Sequence, residues 1–224
     1  MRSEPRGILA IWHDITNNYV EETLDWYDRE HHFERLAVPG FINVRRYHAV
    51  EATPFLFIRY ETESRAVLSS AAYIERLNNP TPWTLASQPR FLNNSRTVCT
   101  LIERGGLAEG GHVATIQLDE ATWAEFKGGP KLRKLTQGLL GLPGVVGFEL
   151  LAADREMSMI ATREKELRRK EDEVVAAVVV VHATNPLATR IALERVLADL
   201  PAPLSGAARH GSYSLAFAAQ KFTI

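Results

Sequence analysis

The chain reads as an α+β protein made of two tandem βαββαβ units that pack sheet to sheet and enclose a barrel-like space within one chain. Three observations predict this. Gly7-Ile8-Leu9-Ala10-Ile11 recurs as Gly111-His112-Val113-Ala114-Thr115-Ile116 with one position of slack, and Val38-Pro39-Gly40-Phe41 recurs as Leu142-Pro143-Gly144-Val145, both at an offset of 104 residues. Self-similarity at one fixed spacing is the mark of a repeated supersecondary unit. The order strand, helix, strand, strand, helix, strand can be read twice. Between the copies lies Gly105-Gly106-Leu107-Ala108-Glu109-Gly110-Gly111, whose glycines make it a linker, so the units are expected at 1–105 and 111–224.

In the first copy Ile8 to His13 reads as a strand. Val20 to Leu36 reads as a helix, with Val20, Leu24 and Tyr27 at helical spacing, stopped by Pro39-Gly40. Phe41 to Val50 and Pro54 to Tyr60 form a hairpin, Ser64 to Leu77 a second helix with Ser64 as N-cap, and Arg96 to Glu103 a closing strand. Asn78 to Asn94, with Pro80, Pro82 and Pro89, reads as a long irregular connection of the kind that forms lids.

The second copy repeats the order. His112 to Leu118, Val145 to Leu151, Val174 to His182 and Ser212 to Ala219 are its strands; Ala121 to Leu140, broken near Gly128-Gly129-Pro130, and Pro186 to Leu200 are its helices. It also carries a charged insertion, Thr162 to Glu173, where the first copy has a tight turn. Mixed charge runs are usually solvated, so this is read as an exposed surface element, with an arm over a partner as the alternative.

A βαββαβ unit places both helices on one face of its sheet and leaves the other face to be buried. Here the strands are apolar on both faces, with Phe55 and Phe57 pointing one way and Leu56 and Ile58 the other, so the two sheets are expected to cover each other. On Trp26-Tyr27-Asp28-Arg29-Glu30-His31-His32, followed by Val38-Pro39-Gly40-Phe41 and Arg45-Arg46-Tyr47, the chain resembles the EthD-like branch of the dimeric α/β barrel superfamily, which pairs ferredoxin-like units in this way. Related barrels include monooxygenases, lactone isomerases, decarboxylases, dehydratases and haem proteins, so the resemblance implies the fold and leaves the reaction open.

Composition narrows the setting. The 224 residues are 46% hydrophobic and 24% charged, and 26 Lys and Arg face 27 Asp and Glu, so no net field draws the chain to nucleic acid or to a membrane surface. One cysteine, Cys99, rules out an internal disulfide framework and fits a reducing compartment. The polar stretch Met1 to Gly7 is not an export signal, and Val174 to Val181 is too short for a membrane helix. A cytoplasmic protein is expected. A chain that closes its own barrel can still form a homodimer through its helices or the charged insertion.

At the repeat offset His13 faces Gln117, Tyr27 faces Lys131 and His31 faces Leu135, so the titratable aromatic set belongs to the first copy alone. His31 lies four residues after Tyr27, on the side of the helix that packs inward, and is the candidate acid/base; the alternative is a core histidine satisfied by a carbonyl. His32, one step round, is expected to be exposed. His13 and Asp14 end the first strand; Asp14 either orients an imidazole or caps the following turn. Arg45 and Tyr47 alternate with Arg46 and His48, and one pair would hold an anion in the barrel unless an arginine is spent on Glu51 or Glu61. Trp12 and Trp83 are candidate pocket walls. Adjacent histidines on a helix diverge by about 100°, so no metal site is expected, and no Gly-rich phosphate loop or dinucleotide fingerprint occurs.

These readings point to a cofactor-independent lyase, isomerase or hydrolase acting on a small oxygenated molecule such as an aromatic catabolite or a lactone. His31, His13 and Asp14 would be catalytic, and Tyr27, Arg45, Tyr47, Trp12 and Trp83 would bind the substrate. The alternatives are a non-catalytic small-molecule binding protein and a cofactor-free monooxygenase.

Overall fold

The computed structural model describes residues 4–168, 170–200 and 209–221. The first half supplies strands β1 (Gly7–Ile15), β2 (Phe41–Glu51), β3 (Leu56–Thr62) and β4 (Phe91–Gly106). The second supplies β5 (His112–Leu118), β6 (Val145–Ala153), β7 (Ala177–Ala183) and β8 (Arg209–Gln220). All eight are antiparallel and close one barrel in the order β1-β3-β2-β8-β5-β7-β6-β4. Read by halves, the order is β4-β1-β3-β2 and then β8-β5-β7-β6. The two sheets meet edge to edge, β2 on β8 from Asn43↔Gln220 to Glu51↔Ser212, and β4 on β6 from Cys99↔Ala153 to Gly106↔Gly147. Hydrogen bonding at both seams leaves no open sheet edge.

Strand alternation then fills two kinds of space. Ile8, Ala10 and Trp12 of β1 point into the barrel, where they meet Tyr47, Phe57, Tyr213, Val113 and Val178. Trp12 stacks on Phe57 at 4.8 Å, and Tyr47 stacks on the same residue at 5.5 Å. The middle of the barrel is therefore packed core rather than the ligand space the sequence suggested. Leu9, Val44, Leu56, Ile58 and Tyr60 point outward and are covered by the leading half's helices. Ile116, Leu118, Phe148, Leu150 and Val179 do the same in the trailing half, beneath Phe126, Leu139, Ala192 and Val196.

The helices refine the expected boundaries. The long first helix divides into α1 (Val20–Trp26), one π-turn (Tyr27–His31) and α2 (His32–Ala37). The second helix begins later than expected, as α3 (Ala71–Asn78), because Ser70 and not Ser64 caps it, accepting from the Tyr73 amide at 3.3 Å. The predicted irregular connection contains α4 (Pro82–Ser87), capped by Thr81. The trailing half has α5 (Glu120–Phe126), α6 (Pro130–Leu139) and α9 (Pro186–Asp199), the last capped by Asn185.

The charged insertion forms α7 (Arg155–Ser158) just before it and α8 (Arg163–Leu167) within it. It is a solvated face only in part: Arg163, Glu166, Lys170, Glu171 and Glu173 are exposed, whereas Thr162 and Glu164 are buried. Arg163 N donates to Asn78 Oδ1 at 3.0 Å, and Arg96 N and Glu173 N bond across to Glu173 O and Asn94 O, so the segment crosses back over the leading half as a strap. Arg169 lies outside the described residues.

The two proline-glycine turns explain their recurrence. Gly40 has φ +88° and Gly144 φ +79°, a left-handed conformation open to glycine and costly for other residues. A Cβ on Gly40 would also fall 2.5 Å from Val67 Cγ2. Gly40→Ala is expected to lose at least about 1–2 kcal/mol of stability, read as a lower urea midpoint with an unchanged m-value.

Candidate functional site

The π-turn shapes the site. Its wide turn is closed by the His32 amide bonding to Tyr27 O, and the extra residue rotates everything after it. Trp26, Tyr27, His31, His32, Arg35 and Leu36 all end up buried against the barrel. An unbroken α-helix would have turned His32 to solvent, as the sequence reading assumed; instead it is fully buried. Such π-turns are frequent at functional sites.

His13, on the outer face of β1, meets this helix. Its ring stacks on Phe91 at 3.9 Å, Nδ1 lies 2.9 Å from Asp14 O, and Nε2 lies 2.8 Å from the Tyr27 hydroxyl. A carbonyl can only accept, so Nδ1 carries the proton and the tyrosine hydroxyl donates to the Nε2 lone pair. Burial lowers the His13 pKa to about 4, opposed by its bond to the Asp14 carbonyl, so the ring is neutral at pH 7. Burial likewise raises the Tyr27 phenol. His32 forms a second pair, its Nδ1 2.7 Å from the Tyr60 hydroxyl.

His31 lies tilted against Trp26 with ring centroids 4.1 Å apart, and its Nδ1 makes no hydrogen bond, with Glu34 Oε2 3.9 Å away. Burial first, then the Arg35 guanidinium, hold its pKa well below the usual imidazole value. Arg35 is buried and donates through Nη2 to both oxygens of Glu164 at 2.5 and 2.6 Å, while its Nη1 has no partner. Tyr27, His31, Arg35, Tyr73, Arg96 and Glu164 help to enclose a cavity of about 30 Å³, room for a water molecule or two.

The structure divides the expected site residues between two faces of one sheet. His13, Tyr27 and His31 come together outside the barrel, beneath the helices. Trp12, Arg45 and Tyr47 do not join them. Tyr47 and Trp12 are barrel core, with Trp12 Nε1 donating to Thr115 Oγ1 at 3.3 Å. Arg45 pairs with Glu109 at 3.2 Å at the barrel mouth, and its neighbour Arg46 faces the helices, pairing with Asp28 at 2.8 Å over the Tyr27 ring. Trp83 packs at the margin of the leading core. Asp14 orients no imidazole, because its carboxylate accepts from Phe55 N at 2.6 Å and Asn93 Nδ2 at 2.8 Å; it caps the hairpin turn.

Arg35, Tyr60, Tyr73, Arg96 and Glu164 were missed. Arg35 stands four residues after His31 and was legible from helical spacing. Glu164 is 129 positions from its partner, and no local signal announces it.

Among the described residues the trailing half offers no equivalent. Pairing shows Gln117 facing into the barrel like Trp12, so by face the counterpart of His13 is the buried Leu118. The side chains of Lys131 and Leu135 lie outside the described residues. At the barrel mouth Glu61, Glu109 and Glu149 bring carboxylate oxygens within 4.8 Å of one another. Arg59, Arg104 and Arg45 already neutralise all three. Among the described residues no helix is long and apolar enough to cross a membrane.

No protein-family model and no curated protein matches the chain. Solved structures do. An anthrone oxidase-like protein superposes with a TM-score of 0.56 at 11% identity, over 98% of this chain and 94% of that one. A candidate monooxygenase from Fusobacterium nucleatum gives 0.55 at 7%, over 100% and 98%. A chlorite dismutase from Candidatus Nitrospira defluvii gives 0.51 at 11%, over 97% and 92%. At such identities these likenesses speak for the fold, an α+β barrel with ferredoxin-like neighbours.

They also correct the expected lyase, isomerase or hydrolase reaction, since the similar structures are named for oxidase-like, monooxygenase and chlorite dismutase activities. The leading-half cavity does not fit a haem: both His13 nitrogens are engaged, His32 Nδ1 is held by Tyr60, and His31, whose Nδ1 makes no hydrogen bond, packs against Trp26 with only about 30 Å³ of space beside it.

Proposed function

We propose that the leading half is a cofactor-free monooxygenase site for a small, electron-rich aromatic molecule, with dioxygen as the oxidant and the substrate as the reductant. The balanced reaction takes an activated CH2 and O2 to a carbonyl and water. The observation that carries this reading is the Tyr27 hydroxyl donating to the neutral, buried His13, beside His31, whose Nδ1 makes no hydrogen bond. A neutral imidazole can accept the proton that a phenol or enol loses on oxidation, and the surrounding aromatic rings exclude water from the reactive intermediate. The names of the similar oxidative proteins support the same reading.

The chain is further read as a tandem duplication, 1–105 and 111–224, in the manner of the EthD-like branch, with chemistry in the first unit. The repeated strand order and the paired left-handed glycines support it. Anthrone is the probe. The protein without added flavin, haem or metal is expected to consume one O2 per anthrone, and Tyr27→Phe and His31→Ala should each lower kcat by at least about tenfold, the low end of what a proton-transfer group contributes. No uptake above the buffer rate, or wild-type rates in both variants, would remove the proposal.

A further inference from the structure

We infer that the ligand of the leading-half cavity carries a carboxylate or equivalent oxyanion that takes the place of Glu164 on Arg35, so that the strap's own glutamate is a built-in competitor for the substrate. This rests on that cavity being the substrate site. It goes beyond the oxidation reading by naming the charge the ligand must bring.

The cavity of about 30 Å³ is far below the roughly 300 Å³ at the low end for small-molecule sites, so the strap must move for anything larger than water to enter. Its attachments allow this. Gln88 donates to Glu164, Arg168 donates to Gln88, and Asn94 donates to Asp172. These are polar contacts that water can replace, which leaves the buried Arg35–Glu164 pair as the attachment that opposes opening.

Charge decides what can replace Glu164. Arg168 keeps its own partner, Asp172, at 2.6 Å. Arg35 loses its carboxylate when Glu164 withdraws, and Arg96, also buried, has the neutral Tyr73 hydroxyl at 3.1 Å. A buried guanidinium left without an anion is strongly unfavourable, so a neutral ligand cannot hold the strap open and an anionic one can; anthrone meets this requirement as its enolate oxyanion. Arg35 presents an unused Nη1 to the same cavity that His31 lines, and His31 Nδ1 makes no hydrogen bond, with Glu34 Oε2 3.9 Å away. A guanidinium with a free nitrogen suits two-point contact with a carboxylate.

Benzoate and benzamide, alike in shape and different in charge, test this under nitrogen, where no oxidation can occur and binding is read by itself. Quenching of tryptophan fluorescence is expected to show benzoate binding and no benzamide binding. Glu164→Gln should bind benzoate at least about tenfold more tightly and be thermally stabilised by it, as ligand linkage requires; Arg35→Met should lose benzoate. Wild-type protein supplies a measurement that needs no variant: benzoate should speed amide exchange in 163–168. Equal affinity for the two probes, unchanged benzoate affinity in Glu164→Gln, or an unaltered strap in wild-type protein overturns the inference. Failure of anthrone oxidation with these binding results intact would overturn the oxidation reading alone.

Discussion

Glu149→Gln is expected to destabilise the protein by about 3–5 kcal/mol, the cost of leaving one member of a buried ion pair without its partner. Arg59 on β3 is fully buried, and Glu149 on β6 is 1% exposed. Arg59 reaches Glu149 with Nη2 to Oε1 at 2.6 Å and Nε to Oε2 at 2.9 Å, a two-point contact that joins the two halves near the barrel mouth. Glu61 accepts from Arg59 at 2.9 Å, and Arg104 bonds both carboxylates at 3.0 and 2.6 Å, so two guanidiniums and two carboxylates form a neutral quartet. Burial raises the Glu149 pKa, but Arg59, His182 and Arg104 outweigh it and hold the carboxyl below its usual value.

Once an amide replaces the Glu149 carboxylate, the quartet carries an excess positive charge in a dry place. Arg104, whose side chain is 39% exposed, can turn to solvent, and Arg59 cannot. Arg104→Ala should therefore cost under about 1 kcal/mol, while the double change Arg59→Leu with Glu149→Leu should recover part of the Glu149→Gln loss, because apolar pairs replace buried ions at little cost. Urea titrations of the four proteins measure all of this. A Glu149→Gln loss below about 1 kcal/mol would mean that water reaches Arg59 and that the quartet does not tie the halves together.

Much of the barrel was legible because its two periodicities are written locally. Alternation in β1 separates Ile8, Ala10 and Trp12 from Leu9, Ile11 and His13, and the repeated Pro-Gly pair marks positions where only the left-handed conformation closes the turn. Which face of the alternation looks inward is a property of closure, and closure depends on the β2–β8 and β4–β6 pairings. No single strand states it. Arg45 and Tyr47 were accordingly grouped with His31, though Arg45↔Arg59 and Tyr47↔Phe57 are neighbours on the interior face.

Two further features were hidden for different reasons. The π-turn changes the phase of the helix by one residue, so a wheel drawn at 3.6 residues per turn puts His31 inside and His32 outside; both are inside. The strap was misread because charge composition is a statement about average exposure. Glu164 and Asp172 are buried only because Arg35 and Arg168 meet them there, and a contact across 129 positions follows from the finished fold alone.

Stability should fall steeply as the pH drops below 6.5, well before the carboxylates titrate. His13 titrates at about 4 in the folded chain against an unfolded value near 6.5, with burial the main cause and Arg168 and Arg46 adding to it. His31 and His32 are lowered in the same direction, by burial first and then by the nearby Arg35 and Arg46. Below pH 6.5 the unfolded chain binds protons that the folded chain refuses, so acid favours unfolding; above 6.5 both states are neutral and the stability is fully present. One pKa unit corresponds to about 1.4 kcal/mol, so His13 alone removes about 3 kcal/mol by pH 4, and each of the other two adds to the slope while it stays unprotonated. Glu34 works weakly against the trend, since burial raises its pKa. Glu61, held at about 2 by Arg59 and Arg104 against its own desolvation, joins only below pH 4.5. Urea midpoints at pH 8.5, 7.5 and 5.5 should therefore be level over the first step and drop over the second, and His13→Gln should reduce the second step. A midpoint that is constant from 6.5 to 5 would mean that these imidazoles accept protons in the folded chain, and the neutral His13 on which the Tyr27 hydrogen bond depends would be lost with it.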